Sequence, residues 1–515
     1  MDVGQLVARS ARRYADRVAV DGPDRTLTFG ELGDRVARVA NGLRGLGLQP
    51  GDRVLDLQTN STTYLETDLA IRAAGLVRVA LNHRLHPTDW ARIADDSGAV
   101  ALVYDARFAE PASDLLHGFG EARLVVVGDA PGTPYDRLVA SSPARPLPPI
   151  DADALCGLHY SSGTTGHPKG AERTHRNWLA SLVNMTLDVI GTPPGPGDVY
   201  AHAGPITHTS GLFVLPFLAA GATQVVMPSW DPEAFVDAVA HRGVTHTAMV
   251  PTMVARLLAL PNVDPHRMAG LKVLGYAGAP MPPEQMRQAH DRLTPHLVQY
   301  YGLVEAIPPV TVLDAEDHER ALAGEPELLT SAGQPAFGVE LAVVDEAGRP
   351  LPTGEVGEVV TRGDHVMRGY WNAASRDDLG KSVVDGWLHT GDLGRLDAAG
   401  RLYLVDRKGD MIISGGYNIY PREVEDVIAE VPGIAEVAVL GVDDPDWGQR
   451  VTALYSVRDG STVTGDQVLQ HCAARLASYK KPKDLRRVDS FPLNATGKIA
   501  KKVLREQLRG SVGSS

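Results

Sequence analysis

The segment from Tyr160 to Gly170, which reads YSSGTTGHPKG, has the composition of a phosphate-binding loop. It contains three glycines, four serine or threonine hydroxyls and one lysine. Small residues allow backbone N–H groups to converge on an anion, and the hydroxyls add donors. The segment is not a Walker A loop, because Pro168 stands five residues after Gly163, where that motif has glycine followed by lysine. It predicts an anion-binding loop, with a flexible Ser/Gly linker as the alternative.

The composition of the whole chain narrows the class of protein that holds this loop. A length of 515 residues predicts two or more domains. A net charge of −13 without a dense basic block disfavours nucleic-acid binding. The N-terminus has no apolar signal core, and the longest apolar stretch, Leu212–Ala222, is interrupted by Pro216 and Gly221. With only two cysteines, the sequence predicts a cytoplasmic protein that does not enter a membrane.

The elements that must position the loop follow from apolar periodicity. Helical and strand patterns alternate over the first ~400 residues, which predicts an α/β fold of layered sheets and helices. A change of pattern near residue 409 predicts a large domain at 1–408 and a small α+β domain at 409–515. Thr174 is the predicted cap of the helix that follows the loop. Predicted helices are Gln5–Arg17, Phe29–Leu46, His175 to about Met185, Pro232–His241, Pro421–Glu430, Gln467–Ala477 and Ile499–Leu508, and predicted strands are Arg53–Leu57, Ala99–Tyr104, Arg123–Val127, Gln224–Met227, His246–Val250, Val437–Val442 and Val451–Val457.

Five later segments extend the pattern that the loop begins. They are Tyr301–Glu305 (YGLVE), Thr390–Asp392 (TGD), Asp406-Arg407, Ser414–Gly416 (SGG) and Pro492–Lys498 (PLNATGK). In this order the six motifs resemble the signature series of the adenylate-forming (ANL) superfamily, specifically its acyl- and aryl-CoA synthetases, the AMP-dependent synthetase and ligase family. The resemblance covers nearly the whole chain. It implies a large domain with the ATP and acyl pockets and a small mobile lid that carries a catalytic lysine.

The activity implied by this resemblance is that of an ATP-dependent acid–thiol ligase. Such an enzyme joins a carboxylate to ATP, releases pyrophosphate and passes the acyl group from the adenylate to a thiol. Two anions meet in the first step, which demands cations and donors on the phosphates. The implied cofactors and partners are ATP/AMP, Mg²⁺, coenzyme A and a small carboxylic acid. The protein is expected to be a monomer or a homodimer.

The resemblance assigns the phosphates and the metal to the loop and to one glutamate. Thr164 and Thr165 are implied to hold the β and γ phosphates, and Lys169 to assist them. Glu305, together with Thr165, is implied to bind Mg²⁺. The loop residues implied to bind the nucleotide are Ser161, Ser162, Gly163, Thr164, Thr165, Gly166 and Lys169.

The rest of the adenylate is assigned by the resemblance to residues further along the chain. Tyr301 is implied to stack on adenine, Asp392 to accept hydrogen bonds from the ribose, and Arg407 to support the nucleotide near a hinge. Lys498 is implied to reach the α-phosphate and the attacking carboxylate, a task that suits a compact charge on a long stem. The remaining implied nucleotide contacts are Gly278, Ala279, Pro280, Gly302 and Val304.

The acyl and coenzyme A positions also follow from the resemblance. His208 matches a position beside the reacting carbonyl. Rotation of the small domain is implied to remove Lys498 and to bring a pantetheine tunnel into place. The tunnel is lined by Ser414, Gly415 and Gly416. Three nearby lysines either meet the coenzyme A phosphates or form a solvated turn, and these are Lys480, Lys481 and Lys483.

Two positions depart from the family pattern. Val304 stands where the family has threonine, so one hydroxyl donor to phosphate is absent. Gly409 stands at the hinge where the family has Asp or Lys, and glycine absorbs a large backbone change without strain. Two interpretations stay open: tolerated variation in a working ligase, or weakened adenylation that leaves mainly acyl transfer to coenzyme A from a supplied adenylate.

Other functions share these motifs. A peptide-synthetase adenylation domain is disfavoured, because only seventeen residues follow Lys498 and leave no room for a carrier domain. A luciferase-type oxygenase and a non-catalytic nucleotide-binding protein are the further alternatives. The segments expected to form the acyl pocket, His208–Leu215, Met249–Met253 and Gly275–Ala279, are apolar and mostly small. They predict a substrate acid with a neutral hydrophobic tail.

Overall fold

The computed structural model describes residues 1–161, 169–261, 263–279, 281–372, 382–414, 417–444, 447–458, 460–494 and 498–512. The chain divides into two compact units. The first unit comprises Met1–Leu341, Thr361–His389 and Ala399–Leu402, and the second comprises Ala342–Val360, Thr390–Ala398 and Tyr403–Ser515. The domain boundary at 408/409 stays a prediction.

The helices and strands alternate along the first unit, as the sequence predicts for an α/β protein. In chain order the helices are α1 (Val3–Arg13), α2 (Phe29–Gly45), α3 (Thr62–Ala73), α4 (Pro87–Ser97), α5 (Ser113–His117), α6 (Tyr135–Ser141), α7 (His175–Asn184), α8 (Val214–Ala220), α9 (Pro232–His241), α10 (Pro251–Leu258), α11 (Pro283–Arg292), α12 (Ala315–Ala323), α13 (Pro421–Ala429), α14 (Gly465–Arg475) and α15 (Lys501–Val512). The strands are β1 (Val18–Asp21), β2 (Thr26–Thr28), β3 (Arg53–Leu57), β4 (Val77–Ala80), β5 (Ala101–Asp105), β6 (Leu124–Val127), β7 (Thr133–Pro134), β8 (Leu155–Ser161), β9 (Lys169–Thr174), β10 (Val199–His202), β11 (Thr223–Val226), β12 (His246–Met249), β13 (Val273–Tyr276), β14 (Leu297–Tyr301), β15 (Thr311–Leu313), β16 (Gln334–Pro335), β17 (Glu340–Val344), β18 (Gly357–Arg362), β19 (Val383–Val384), β20 (Trp387–Leu396), β21 (Leu402–Arg407), β22 (Ile412–Ser414), β23 (Tyr417–Ile419), β24 (Ile434–Asp444), β25 (Gly448–Val457) and β26 (Asp484–Arg487).

Two mostly parallel sheets form the framework of the first unit. One has the strand order β16-β15-β14-β13-β12-β10-β11-β1-β2, and the other has the order β7-β6-β5-β3-β4-β8-β9. The central strands of both sheets are parallel and buried, which explains their apolar sequences. Parallel strands end at a common edge, and loops at that edge carry the ligand sites of α/β folds. The loop that follows β8 and the motif that follows β14 both begin at such ends.

Local signals fix where the helices near this edge begin. Thr174 caps α7 as predicted: its hydroxyl accepts from the Asn177 N–H, and the Asn177 side chain accepts from the Thr174 N–H. Asp2 and Gln5 form the same reciprocal cap on α1, so this helix starts two residues earlier than its apolar pattern predicts. In the part of the chain that the structure describes, no helix is both long and apolar enough to cross a bilayer.

The second unit is built around an antiparallel pair. Strands β24 and β25 pair over ten residue positions of β25, and β26 runs parallel to β25. Strands β22 and β23 extend the same sheet. Apolar side chains from α13, α14 and the sheet fill one core, and α15 packs on a second small cluster. An isolated bridge pairs Leu493 with Ile499, the residue that follows Lys498.

Candidate active site

The phosphate-binding loop predicted from sequence joins the two strands of an antiparallel hairpin. Strand β8 ends at Ser161, β9 begins at Lys169, and these two residues face each other in register. Several predicted site residues lie outside the described residues, namely Ser162, Gly163, Thr164, Thr165, Gly166, Pro280, Gly415 and Gly416. Their roles stay predictions.

Three side chains meet beside this hairpin. The Tyr370 hydroxyl donates to Oε1 of Glu305 at 2.6 Å, and the Lys169 ammonium lies 5.7 Å from the centre of the Tyr370 ring. The backbone of Tyr370 is itself fixed, because it forms a bridge with Ala171 of β9. The structure therefore brings the predicted loop lysine and the predicted metal ligand together through a tyrosine.

A buried arginine lies behind the glutamate. The Arg173 guanidinium donates to the carbonyl oxygen of Val304 at 2.8 Å and lies 5.5 Å from the ring of Trp178. Burial lowers the pKa of Arg173, and the nearby negative charge of Glu305 opposes that shift. This contact holds the backbone of the YGLVE motif from the side of β9.

The glycines of two predicted motifs have specific backbone reasons. Gly302 follows β14, and a Cβ at this position would lie 2.7 Å from Cγ and 3.0 Å from Cα of Pro308. Gly278 follows β13 with a φ of +89°, a region that side chains disfavour. Both positions follow the carboxyl ends of neighbouring parallel strands, and Gly302 directly follows the predicted adenine residue Tyr301.

His208 is held by an asparagine that the sequence did not single out. The Asn82 Oδ1 accepts from the Arg84 N–H at 2.9 Å, so Nδ2 is the atom that faces His208. That Nδ2 lies 2.9 Å from Nε2 of His208 and can only donate. Nε2 therefore accepts, which places the proton of a neutral His208 ring on Nδ1. Asn82 lies just after β4, and His208 lies in the segment between β10 and Thr209.

Three predicted nucleotide residues meet within the second unit. The Arg407 guanidinium forms an ion pair with the buried Asp392 carboxylate at 3.1 Å. Desolvation and the positive charge of Arg407 lower the pKa of Lys498, whereas Asp392 opposes this shift. The backbone of Lys498 is held locally, because its N–H donates to Oδ1 of Asn494 at 3.0 Å. The structure thus brings Asp392, Arg407 and Lys498 together.

The predicted hinge residue Gly409 and the predicted tunnel residue Ser414 lie in the same unit. A Cβ at Gly409 would meet nothing within 4 Å, and its φ is outside the left-handed region, so neither space nor backbone requires glycine. Ser414 is buried and pairs with Gly448. Lys480 forms an ion pair with Glu423 at 2.6 Å, and the Lys483 ammonium lies 4.7 Å from the ring of Trp447.

The residues that the sequence missed share one property. Each forms its contact with a residue that is distant in sequence. The separations are 65 positions for Tyr370, 131 for Arg173 and 126 for Asn82. The only local signal is the Gly-Tyr-Trp-Asn run at Tyr370, which a single sequence does not connect to Glu305.

The donor set beside the hairpin fits a magnesium ion that is shared with phosphates. Among the residues that the structure describes, there is no cluster of three or more His, Cys, Asp or Glu side chains able to hold a metal. Mg²⁺ at nucleotide sites takes one or two carboxylates, and phosphate oxygens and water complete its shell. Glu305, whose carboxylate accepts from the Tyr370 hydroxyl, is a carboxylate that could fill this role.

Comparison with known proteins gives matches along most of the chain. Residues 7–371 match the family described as AMP-binding enzyme, and residues 423–498 match the AMP-binding enzyme C-terminal domain. A feruloyl-CoA synthase from Amycolatopsis sp is 38% identical over 508 residues, covering 98% of this chain and 99% of the relative. Medium/long-chain-fatty-acid–CoA ligase FadD8 from Mycobacterium tuberculosis is 32% identical, covering 99% and 90% of the two chains.

Solved structures also match nearly the whole chain. ATP-bound MatB from Rhodopseudomonas palustris superposes with a TM-score of 0.88 at 31% identity, covering 98% of this chain and 99% of that chain. The o-succinylbenzoate CoA synthetase MenE from Bacillus subtilis, in complex with the acyl-adenylate intermediate OSB-AMP, superposes with a TM-score of 0.85 at 29% identity. It covers 98% of this chain and 97% of that chain.

Proposed function

The chain belongs to the AMP-binding enzyme family and is an AMP-forming acid–thiol ligase, and from this premise we propose a substrate class and the residues that act. Its reaction uses ATP, Mg²⁺ and coenzyme A, and it proceeds through an acyl-adenylate to a thioester. The proposed substrate is a carboxylic acid with a neutral hydrophobic tail, and aryl acids are favoured over long alkyl chains. The feruloyl-CoA synthase similarity supports this choice.

The observation that carries the proposal for the first step is the contact between Tyr370 and Glu305 beside Lys169. In adenylation, a carboxylate oxygen bonds to the α-phosphorus and the bond to the pyrophosphate oxygen breaks. Glu305 and Thr165 are the proposed ligands of Mg²⁺, which when bound neutralises phosphate charge. Lys169 and the loop residues 161–166 orient the departing phosphates.

The second unit supplies the proposed ribose and α-phosphate contacts. The Asp392 carboxylate accepts from the ribose hydroxyls and is kept in place by Arg407. Lys498 places its ammonium at the α-phosphate and the attacking carboxylate. In the second step the thiol sulfur bonds to the acyl carbon, AMP leaves, and the thiol proton passes to solvent. His208 lies beside the acyl carbon, with the proton of its neutral ring on Nδ1.

A two-stage assay separates adenylation from thioester formation. The full-length protein is incubated with ATP, Mg²⁺ and a panel of aryl and alkyl acids without coenzyme A, and pyrophosphate release is followed. Coenzyme A is then added, and the thioester is identified by mass spectrometry. We expect pyrophosphate in the first stage and thioester in the second. Glu305→Gln is expected to lose the first stage, whereas Glu327→Gln, at an exposed carboxylate, keeps both.

Two results would contradict the proposal. Thioester formed only from added acyl-adenylate, with no pyrophosphate from any acid, would mean that Val304 and Gly409 mark a lost first step. Nucleotide binding with neither product would mean a non-catalytic nucleotide-binding protein.

The domain division, assembly and compartment are also proposed. We propose domains 1–408 and 409–515, a monomer or homodimer, and a cytoplasmic location. Both cysteines are free and buried, which is compatible with a reducing compartment. Limited proteolysis near 409, light scattering of the purified protein and cell fractionation test the three statements in turn.

A further inference from the structure

One tyrosine at the candidate site differs from the other deeply buried tyrosines. The largest fully buried side chains include Tyr64, Tyr104, Tyr135, Tyr200, Tyr276 and Tyr300. In five of these, the hydroxyl meets a hydrogen-bonding group: a guanidinium, a carbonyl, a carboxylate, a serine hydroxyl or a histidine. The Tyr300 hydroxyl, on a side chain that is 1% exposed, has no such partner among the described residues.

An unpaired buried hydroxyl calls for an explanation. Buried polar groups nearly always bond to protein or water, because removal from water without a replacement bond is costly. Burial raises the pKa of Tyr300 well above its usual range, and the neighbouring Tyr200 adds to that shift. The phenol therefore stays protonated at neutral pH and keeps a donor hydrogen.

The surroundings of Tyr300 point to the substrate tail as the missing partner. Its ring lies beside Gly275, where an added Cβ would be 3.3 Å from Cε1 of Tyr300. It also meets Phe213 edge-on, with ring centres 6.3 Å apart. Gly275 and Phe213 belong to two separate segments that the sequence predicts as acyl-pocket walls. Tyr301, the next residue along β14, opens the YGLVE motif that leads to Glu305.

The same wall is rich in aromatic rings. Tyr200 stacks on Phe213 with centres 4.5 Å apart and an angle of 15°, and Phe217 lies 5.1 Å from Tyr200. The polar atoms behind this group are already paired, since the Ser210 hydroxyl lies 2.9 Å from Nδ1 of His202. Aromatic neighbours and one unpaired phenol suit a flat substrate that carries a single polar substituent.

We propose that the Tyr300 hydroxyl is a specificity-determining group that forms a hydrogen bond with a hydroxyl or ether oxygen on the ring of an aromatic substrate acid. The inference rests on the proposed function, and it narrows the substrate class to oxygen-substituted aryl acids. A site that is built to bond a substrate oxygen discriminates against the analogue that lacks it, because the site's own polar group is then left unpaired.

The test compares acids that differ by one substituent. Pyrophosphate release is measured with cinnamate, 4-hydroxycinnamate and 4-methoxycinnamate for the wild type and for Tyr300→Phe. The wild type is expected to prefer an oxygenated acid over cinnamate by ~10-fold or more in kcat/KM. Tyr300→Phe is expected to lose this preference through a lower kcat/KM for the oxygenated acid, with cinnamate unaffected or improved.

A stability measurement separates recognition from a structural role. Tyr135→Phe is the matched control, since Tyr135 is also fully buried, lies outside the segments expected to form the acyl pocket, and its hydroxyl is paired with the Glu66 carboxylate. Without substrate, Tyr300→Phe is expected to unfold at the wild-type temperature or higher, because only an unpaired hydroxyl is removed. Tyr135→Phe is expected to unfold at a lower temperature and to keep the wild-type substrate preference.

Three results overturn the inference. The first is an unchanged ratio of kcat/KM values in Tyr300→Phe. The second is a loss of stability equal to that of Tyr135→Phe, which would mean that the Tyr300 hydroxyl has a structural partner such as water. The third is a wild type that activates alkyl acids alone, which leaves the ligase function intact. A wild type that activates no acid instead overturns the proposed function.

Discussion

Removal of the Tyr370 hydroxyl is the sharpest test of how Glu305 is held. Tyr370→Phe deletes the 2.6 Å bond to Oε1 of Glu305. It keeps the aromatic ring that lies 5.7 Å from the Lys169 ammonium, and it keeps the backbone bridge to Ala171. The substitution therefore changes how the carboxylate is oriented without removing its charge or the tyrosine's packing.

The expected size of the effect of Tyr370→Phe follows from the negative charge of the acceptor, the Glu305 carboxylate. A hydrogen bond to a charged group contributes ~1.5–3 kcal/mol, which corresponds to a factor of roughly 10 to 150 in an equilibrium or rate. Groups that orient metal ligands have an independent range, since their loss typically costs about 10–100-fold in metal affinity or activity. We therefore expect the Mg²⁺ concentration for half-maximal adenylation to rise by about 10–100-fold in Tyr370→Phe.

The assay is pyrophosphate release as a function of Mg²⁺ concentration at saturating ATP and acid. Tyr135→Phe is the control, because it removes a tyrosine–carboxylate bond to Glu66, between α6 and α3 and outside the site. It is expected to lower the unfolding temperature and to leave the Mg²⁺ dependence unchanged. A folded Tyr370→Phe protein with the wild-type Mg²⁺ dependence would refute the reasoning that this hydroxyl orients a metal ligand.

Three further predictions concern the departures from the family pattern and Lys498, the proposed catalytic lysine. Val304→Thr keeps the side-chain shape and adds a hydroxyl, so the adenylation rate is expected to rise by about 10-fold in the pyrophosphate assay. An unchanged rate would mean that the phosphate needs no donor at position 304. Gly409→Asp places its Cβ where nothing lies within 4 Å, so stability is expected to stay within ~0.5 kcal/mol by denaturant unfolding. The ratio of acyl-transfer to adenylation rates is expected to change, and equal ratios would exclude a hinge role. Because the pKa of Lys498 is lowered, the adenylation rate is expected to fall with rising pH at a lower pH than for a lysine of ordinary pKa. Arg407→Gln is expected to move this fall to higher pH in a pH–rate profile. A fall at the same pH as in the wild type would contradict the effect of Arg407 on Lys498.

Local pattern predicted most of the elements but not their pairing. The strand Arg53–Leu57 and the helix Pro232–His241 have the predicted bounds, since an apolar run and an Asp-Pro start define them locally. The strand predicted at Val437–Val442 extends over Ile434–Asp444. Its antiparallel partner β25 continues the ladder beyond the apolar residues, and a single segment does not reveal this.

The candidate site likewise divides into residues that the sequence indicated and contacts that it did not. Motifs that are continuous in sequence, such as the YGLVE run, were identified by their resemblance to the family's signature series. Contacts that join distant segments were not, because Tyr370 and Asn82 depend on how strands from different parts of the chain align. Nothing in residues 366–372 read alone indicates a partner at Glu305.

The strand β9 has a consequence for engineering this protein. Its backbone pairs with β8 on one side and with the segment at Tyr370 on the other, through bonds that include Trp371 N–H to the Gly170 carbonyl at 2.8 Å. The register of β9 is thus held by backbone pairing on both of its sides. One residue inserted within β9 would turn its side chains to the opposite face and separate Lys169 from Tyr370.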